Sequence, residues 1–77
     1  MAKLYFSSSL YRTEAIERTV AAYSSLAVFE IETQEDGVNV SISQMVPELR
    51  EQLVDAFCNH VLNETIIVIR KERGGEL

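Results

Sequence analysis

The chain has very few of the residues from which metal sites, disulfide frameworks and nucleotide-binding loops are built. It has one cysteine, Cys58, one histidine, His60, and glycine only at positions 37, 74 and 75. So few glycines exclude a phosphate-binding or dinucleotide-binding loop. On a helix Cys58 and His60 would point about 200° apart, so they cannot complete a tetrahedral zinc site within one chain. We therefore expect no metal and no other cofactor.

Basic clusters and long apolar segments are scarce as well. The apolar run from Ile66 to Ile69 is far short of the ~20 residues of a membrane span. The chain has a net charge of −5, and its basic residues cluster only at Arg70, Lys71 and Arg73. Three clustered basic residues are too few for a nucleic-acid surface. A single cysteine and no signal-peptide pattern are typical of a reducing compartment. We expect a cytoplasmic protein that binds neither membranes nor nucleic acids.

What is present is the composition of a small globular protein. Hydrophobic residues make up 47% of the 77 residues and charged residues 25%, well away from the disordered range. We expect one α+β domain over residues 1–73. Residues 74–77, which begin with the Gly74-Gly75 pair, are predicted to form a frayed tail.

The segment from Ala27 to Ser43 predicts a β-hairpin. Asp36-Gly37 is a strong signal for a two-residue turn, because glycine adopts positive φ without cost. That turn would place Thr33 opposite Val40 and Ile31 opposite Ile42. Apolar residues then share one face of the hairpin and polar residues the other; the predicted inward residues are Phe29, Ile31, Thr33, Val38, Val40 and Ile42.

Two further elements are predicted before the hairpin. Alternation over Lys3 to Leu10 predicts a first strand. Thr13 is a suitable N-cap for a helix, and the positions at helical spacing after it form an apolar stripe: Ile16, Val20, Tyr23 and Ala27.

The second helix is predicted to begin at Pro47 and to bury Leu49, Leu53, Phe57 and Val61. Beyond Asn63 two interpretations remain. The β-branched residues from Thr65 to Ile69 favour a final strand, but Val61, Thr65 and Val68 would also continue the helical stripe to about residue 72. The fold is therefore an antiparallel sheet with two helices on one face, in the order β-α-β-β-α. A final strand would make it a ferredoxin-like split βαβ.

Nothing in the sequence forms a catalytic set of residues, and we expect a non-enzymatic protein. The polar face of the hairpin, with Asn39 and Ser41, is left for solvent or a partner. An open sheet edge can accept an extended peptide as an added strand. Ile66 and Val68 are too apolar for a fully exposed edge strand, so we expect them to lie in an interface with a second copy of the chain.

Two segments resemble a known family. They are Ser9-Leu10-Tyr11 with Glu14-Ala15-Ile16 and Tyr23, and the run from Phe57 to Leu62. Over residues 4–62 the chain resembles the small D protein of the bacterial His-Xaa-Ser system, with Asn59 the one matching polar residue that packing does not require. Beyond Asn63 the chain departs from that family, which continues with a polar helix.

The resemblance implies an accessory protein that is not itself the catalyst. Its partners would be a radical-SAM maturase or the maturase's precursor peptide, which is rich in His-Xaa-Ser repeats. We therefore expect an adaptor domain that binds a peptide or partner protein through residues among Asn39, Ser41, Asn59, Ile66 and Val68. The alternative is a ferredoxin-like homo-oligomer, a homodimer in its simplest form, with a regulatory or small-ligand-binding role.

Overall fold

The structure, a computed structural model, describes residues 1–74. Its elements are β1 (Ala2–Ser7), α1 (Thr13–Tyr23), β2 (Val28–Thr33), β3 (Gly37–Ser43), a 3-10 turn (Pro47–Leu49) and α2 (Arg50–Glu72). The predicted α+β class and the order β-α-β-β-α are confirmed. Of the predicted tail, Gly74 lies two residues beyond the end of α2 and has a φ of 87°, and residues 75–77 lie outside the described part of the chain.

The sheet has the order β1-β3-β2, and β3 is antiparallel to both neighbours. The central strand therefore carries the most deeply buried side chains of the sheet, since it has a strand on each side and helices on one face. Val38, Val40 and Ile42 are at most 2% exposed. β1 and β2 form the two edges of the sheet, and no helix within residues 1–74 covers the opposite face.

Phe57 of α2 is the centre of the core. Its side chain is fully buried and its ring lies 5.1 Å from that of Phe29, 5.7 Å from Tyr23 and 6.2 Å from Phe6, measured between centroids. These partners come from β2, α1 and β1. One aromatic side chain thus joins both helices to both edge strands.

The hairpin prediction was right about its faces and wrong about its register. Thr33 pairs with Val38 and Ile31 with Val40, a shift of two residues from the predicted pairs. The shift is even, so the apolar side chains stay on the helix-covered face. The turn is at Glu35-Asp36, closed by the Gln34 N–H to the Gly37 C=O at 2.7 Å.

Gly37 accounts for the shift in register. Among the described residues only Gln44 and Gly74 have positive φ, so Gly37 is not a turn glycine. It pairs with Ser7 in the sheet, and a Cβ there would lie 2.5 Å from the Tyr5 Oη and from the Phe6 carbonyl oxygen. The chain uses this glycine for close packing under the Tyr5 ring, whose hydroxyl donates to the Asp36 C=O at 2.9 Å.

Three predicted boundaries were also wrong. β1 ends at Ser7, because the Ser7 C=O accepts from the Leu10 and Tyr11 N–H groups in a turn, and Leu10 is exposed. Arg12, and not Thr13, occupies the N-cap of α1 without a side-chain cap. Leu49 lies in the 3-10 turn and is exposed, so α2 buries its first apolar side chains only from Leu53 and Val54 onward.

The predicted final strand over 65–69 was wrong, and the alternative of a helix continuing to about residue 72 is confirmed. Tertiary packing outweighs the β propensity of this segment. Phe57, Val61, Thr65 and Val68 form one buried stripe along α2, and Thr65 Oγ1 accepts the Arg12 N–H at 3.4 Å.

Two ion pairs also join the C-terminal half of α2 to α1 and to the N-cap residue of α1. Arg12 makes a bidentate pair with Glu72, at 2.9 Å for the shorter contact. Arg18 reaches Glu64 at 3.4 Å. The flank of α2 that faces α1 is therefore closed, and the helix cannot give up residues 65–69 to the sheet without losing these contacts.

Candidate partner-binding site

The five residues predicted for partner binding lie in three separate places. Asn39 and Ser41 are on β3, on the sheet face opposite the helices. Asn59 and Ile66 are exposed and lie two turns apart on the outer side of α2. Val68 is 4% exposed and belongs to the buried stripe of α2, so its side chain is not part of any surface.

Asn39 and Ser41 lie in a shallow cleft on the uncovered face of the hairpin. The cleft has a volume of about 530 Å³ and is lined by Glu30, Ile31, Glu32, Asn39 and Ser41. Glu30 pairs with Ser41 and Glu32 with Asn39 across the two strands, so their side chains form two short polar rows. Three of the lining residues belong to β2, so the cleft borders this edge strand of the sheet.

The backbone of β2 presents hydrogen-bonding groups along this edge. In an antiparallel ladder the residues bond alternately to one side and the other. The Gln34–Gly37 bond sets the phase, so Glu32 and Glu30 bond to β3, whereas Phe29, Ile31 and Thr33 direct their N–H and C=O groups outward. Within residues 1–74 no partner is found for these outward groups.

Side chains on β2 alternate in character. Toward the helices, Phe29 is half-buried and Ile31 is 37% exposed. Toward the cleft, Glu30 and Glu32 are exposed, and Glu35 and Asp36 follow at the turn. None of these four carboxylates forms an ion pair with any residue of the described chain. Val28, at the start of β2, is 41% exposed as well. The edge therefore combines free backbone groups, two exposed apolar side chains and uncompensated negative charge.

The other edge, along β1, has a different character. The Ser8 N–H bonds to the Asp36 C=O, so by the same alternation Lys3, Tyr5 and Ser7 direct their backbone groups outward. α2 begins beside this edge, where Arg50 donates to the Met1 C=O at 3.0 Å. A cleft of about 290 Å³ lies there, lined by Ala2, Arg50, Glu51, Val54 and Asp55.

In a split βαβ the fourth strand would pair with β1 on this side. Leu62 and Ile66 lie on the flank of α2 away from α1, because each is two residues, or about 200°, from Glu64. Leu62 is 46% and Ile66 41% exposed. The cleft beside β1 is lined by basic Arg50 as well as by acidic Glu51 and Asp55, whereas the charged residues of β2 are all acidic.

Cys58 and His60 have packing roles on α2. Burial, and to a lesser extent the Asp55 carboxylate, raises the pKa of the half-buried Cys58 thiol, which is the opposite of what a reactive thiolate needs. The His60 ring packs edge-on against Tyr23 at 5.4 Å, and its Nε2 lies 3.5 Å from Glu64.

The sequence alone predicted a partner surface that includes Asn39 and Ser41, and an open sheet edge, but it did not indicate which strand forms that edge. It left the polar face of the hairpin, with Glu30 and Glu32, for solvent or a partner, and it gave no role to the outward backbone of Phe29, Ile31 and Thr33. A signal was present: β2 alternates Glu with apolar or β-branched residues, and β3, its partner, has no charged residue. Such a pair predicts an acidic edge strand beside a buried central strand.

Over residues 1–74 no group of three or more His, Cys, Asp or Glu side chains is placed to hold a metal ion. Neither helix in that range is long and apolar enough to cross a membrane. Comparison of the chain with protein-family models, with curated proteins and with solved structures found no match.

Proposed function

We propose that this protein is a non-catalytic adaptor domain that binds an extended segment of a partner protein as an additional strand on β2. The observation that carries the proposal is the outward backbone of Phe29, Ile31 and Thr33, unpaired within the described chain and next to the cleft on the uncovered sheet face. Main-chain hydrogen bonds from an added strand supply affinity, and pockets for alternate side chains supply selectivity.

The geometry favours a strand over a compact ligand. The cleft is open and shallow, whereas small-molecule sites enclose most of their ligand. The edge strand of six residues, Val28–Thr33, has three residues at alternate positions whose backbone groups point outward. Because Ile31 is already partly exposed at the edge, an apolar side chain of the added strand can cover it.

The resemblance to the His-Xaa-Ser D protein supports one choice of partner, the precursor peptide or the maturase that modifies it. A synthetic peptide of His-Xaa-Ser repeats, titrated into ¹⁵N-labelled protein, should change the amide shifts of Phe29, Ile31 and Thr33. If the shifts along both edge strands stay constant, presentation of that peptide is not the function.

Blocking the edge with proline tests the site independently of the partner's identity. In Ile31→Pro the outward N–H is lost, while the groups that bond to β3 are kept. Lys3→Pro is the matched control, because it makes the same change on the outward backbone of β1. Both variants should fold, which a circular dichroism melt checks.

The binding measurement uses a displayed library of random decapeptides selected on the parent protein. We expect the selected peptides to bind Lys3→Pro like the parent and Ile31→Pro at least about tenfold more weakly. Shift mapping on the parent should show the largest changes at Phe29, Ile31 and Thr33. Peptides that bind both proline variants equally, or a library without binders, would refute the proposal.

A second candidate function is a homo-oligomeric domain that pairs through β1. The exposed Leu62 and Ile66 beside the unpaired β1 edge favour it, because a second copy could complete the sheet there and cover both side chains. Light scattering at high micromolar concentration should then give twice the monomer mass, and Leu62→Lys should restore the monomer. A strict monomer would remove this candidate.

A further inference from the structure

We propose that the strand bound at β2 is cationic, with lysine or arginine at alternate positions on the side of the cleft and apolar residues on the side of the helices. This inference rests on the proposed function and specifies its partner class. It follows from the alternation of Glu30 and Glu32 with Phe29 and Ile31 along one edge.

The charges at the edge define the outer side of the added strand. Side chains directly opposite each other on antiparallel strands have Cβ atoms about 4.5–5.5 Å apart, so two basic residues of the partner would lie beside Glu30 and Glu32. Within residues 1–74 the only basic side chain on the strands of the same sheet face is Lys3, which pairs with Ser41 and is two strands, roughly 9.5 Å, from Glu30. It leaves both carboxylates available.

The inner side of the added strand meets a different surface. Phe29 is half-buried against Phe57, and Ile31 is partly exposed next to it. A valine or isoleucine of the partner, placed between the two basic residues, would cover Ile31 from water. If the added strand carried charges on both faces, the charges on its inner face would be buried against Phe29 and Ile31, which is unfavourable.

The same charges exclude a second copy of this chain at β2. Two β2 strands paired with each other would bring Glu30 and Glu32 close to identical carboxylates, and like charges facing each other across strands are destabilising. Glu35 and Asp36 at the turn add to the repulsion. The β2 edge therefore selects a partner of opposite charge, while β1 carries no acidic residue.

Defined peptides test the charge preference. The probes are three blocked octapeptides that alternate valine with lysine, with glutamine or with glutamate, titrated into the ¹⁵N-labelled full chain at low salt. We expect the lysine peptide to shift Phe29, Ile31 and Thr33 and to bind about tenfold more tightly than the glutamine peptide, since two exposed ion pairs are formed. The glutamate peptide should not bind, and raising the salt to 0.5 M should remove most of the lysine peptide's advantage.

Variants assign that advantage to the two carboxylates. The double variant Glu30→Gln, Glu32→Gln should bind the lysine and glutamine peptides with equal affinity. The double variant Glu17→Gln, Glu51→Gln has the same net charge, changes only exposed residues away from the edge, and should bind like the parent.

The outcomes separate this inference from the proposed function. Equal binding of the lysine and glutamine peptides at β2 leaves strand addition intact and overturns the cationic preference. A lysine peptide that binds elsewhere, or fails to bind, also overturns the preference, while the random library decides on strand addition by itself. An equal loss in both double variants would show a general charge effect and contradict the assignment to Glu30 and Glu32.

Discussion

Replacing Phe57 with alanine is expected to lower the free energy of unfolding by about 3–5 kcal/mol, the range for a large buried aromatic side chain. Its ring contacts Phe6, Tyr23 and Phe29, and these come from three different elements, so the cavity cannot close by moving one of them. A domain of this size has little stability to spare. Chemical denaturation followed by circular dichroism should show a variant that is largely unfolded at room temperature.

Leu62→Ala is the matched control for Phe57→Ala. Leu62 is on the same helix but 46% exposed, so we expect a loss below about 1 kcal/mol. A Phe57→Ala protein that unfolds at the same denaturant concentration as Leu62→Ala would mean that α2 packs through a different face.

Gly37→Ala is expected to destabilise the protein by about 1–3 kcal/mol, the usual cost of an extra methyl group in a packed site. The new Cβ would lie 2.5 Å from both the Phe6 carbonyl oxygen and the Tyr5 Oη. The Tyr5 ring can move away, but the backbone oxygen is held in the β1–β3 ladder. Thermal melting of the purified variant measures the effect.

Gly37→Asn distinguishes the observed register from the one that the turn signal predicted. Asparagine is tolerated at positive φ in turns, so in a turn at positions 36 and 37 it would cost little. In the sheet under Tyr5 it meets the same obstruction as alanine, and we expect a loss at least as large as that of Gly37→Ala. A Gly37→Asn protein that melts like the parent would contradict the observed register.

The hairpin illustrates how far the sequence determines this fold. Alternation along Phe29–Thr33 and Val38–Ile42 gives the buried face correctly, because it depends only on whether a position is odd or even. The register depends on which residue packs over Gly37, and that residue, Tyr5, is more than thirty positions away in the chain. No local turn preference contains that information.

At the end of α2, by contrast, local sequence preference predicts the wrong secondary structure. Thr65 to Ile69 has the local propensity of a strand, but Thr65, Val68 and Glu72 contact the core and Arg12 only when the segment is helical. The candidate site could likewise be predicted only in part. Asn39 and Ser41 could be placed on an outer face from alternation, but the open edge at β2 depends on the strand order, which brings β3 between β1 and β2.

Amide hydrogen exchange along β2 tests the central claim most directly. In the free monomer we predict fast exchange at Phe29, Ile31 and Thr33 and slow exchange at Glu30 and Glu32, because only the latter bond to β3. Addition of the lysine octapeptide should slow the three fast amides and leave Lys3 and Tyr5 on β1 unchanged. If Phe29, Ile31 and Thr33 already exchange as slowly as Glu30 and Glu32 in the free monomer, β2 is not an open edge and the account is wrong.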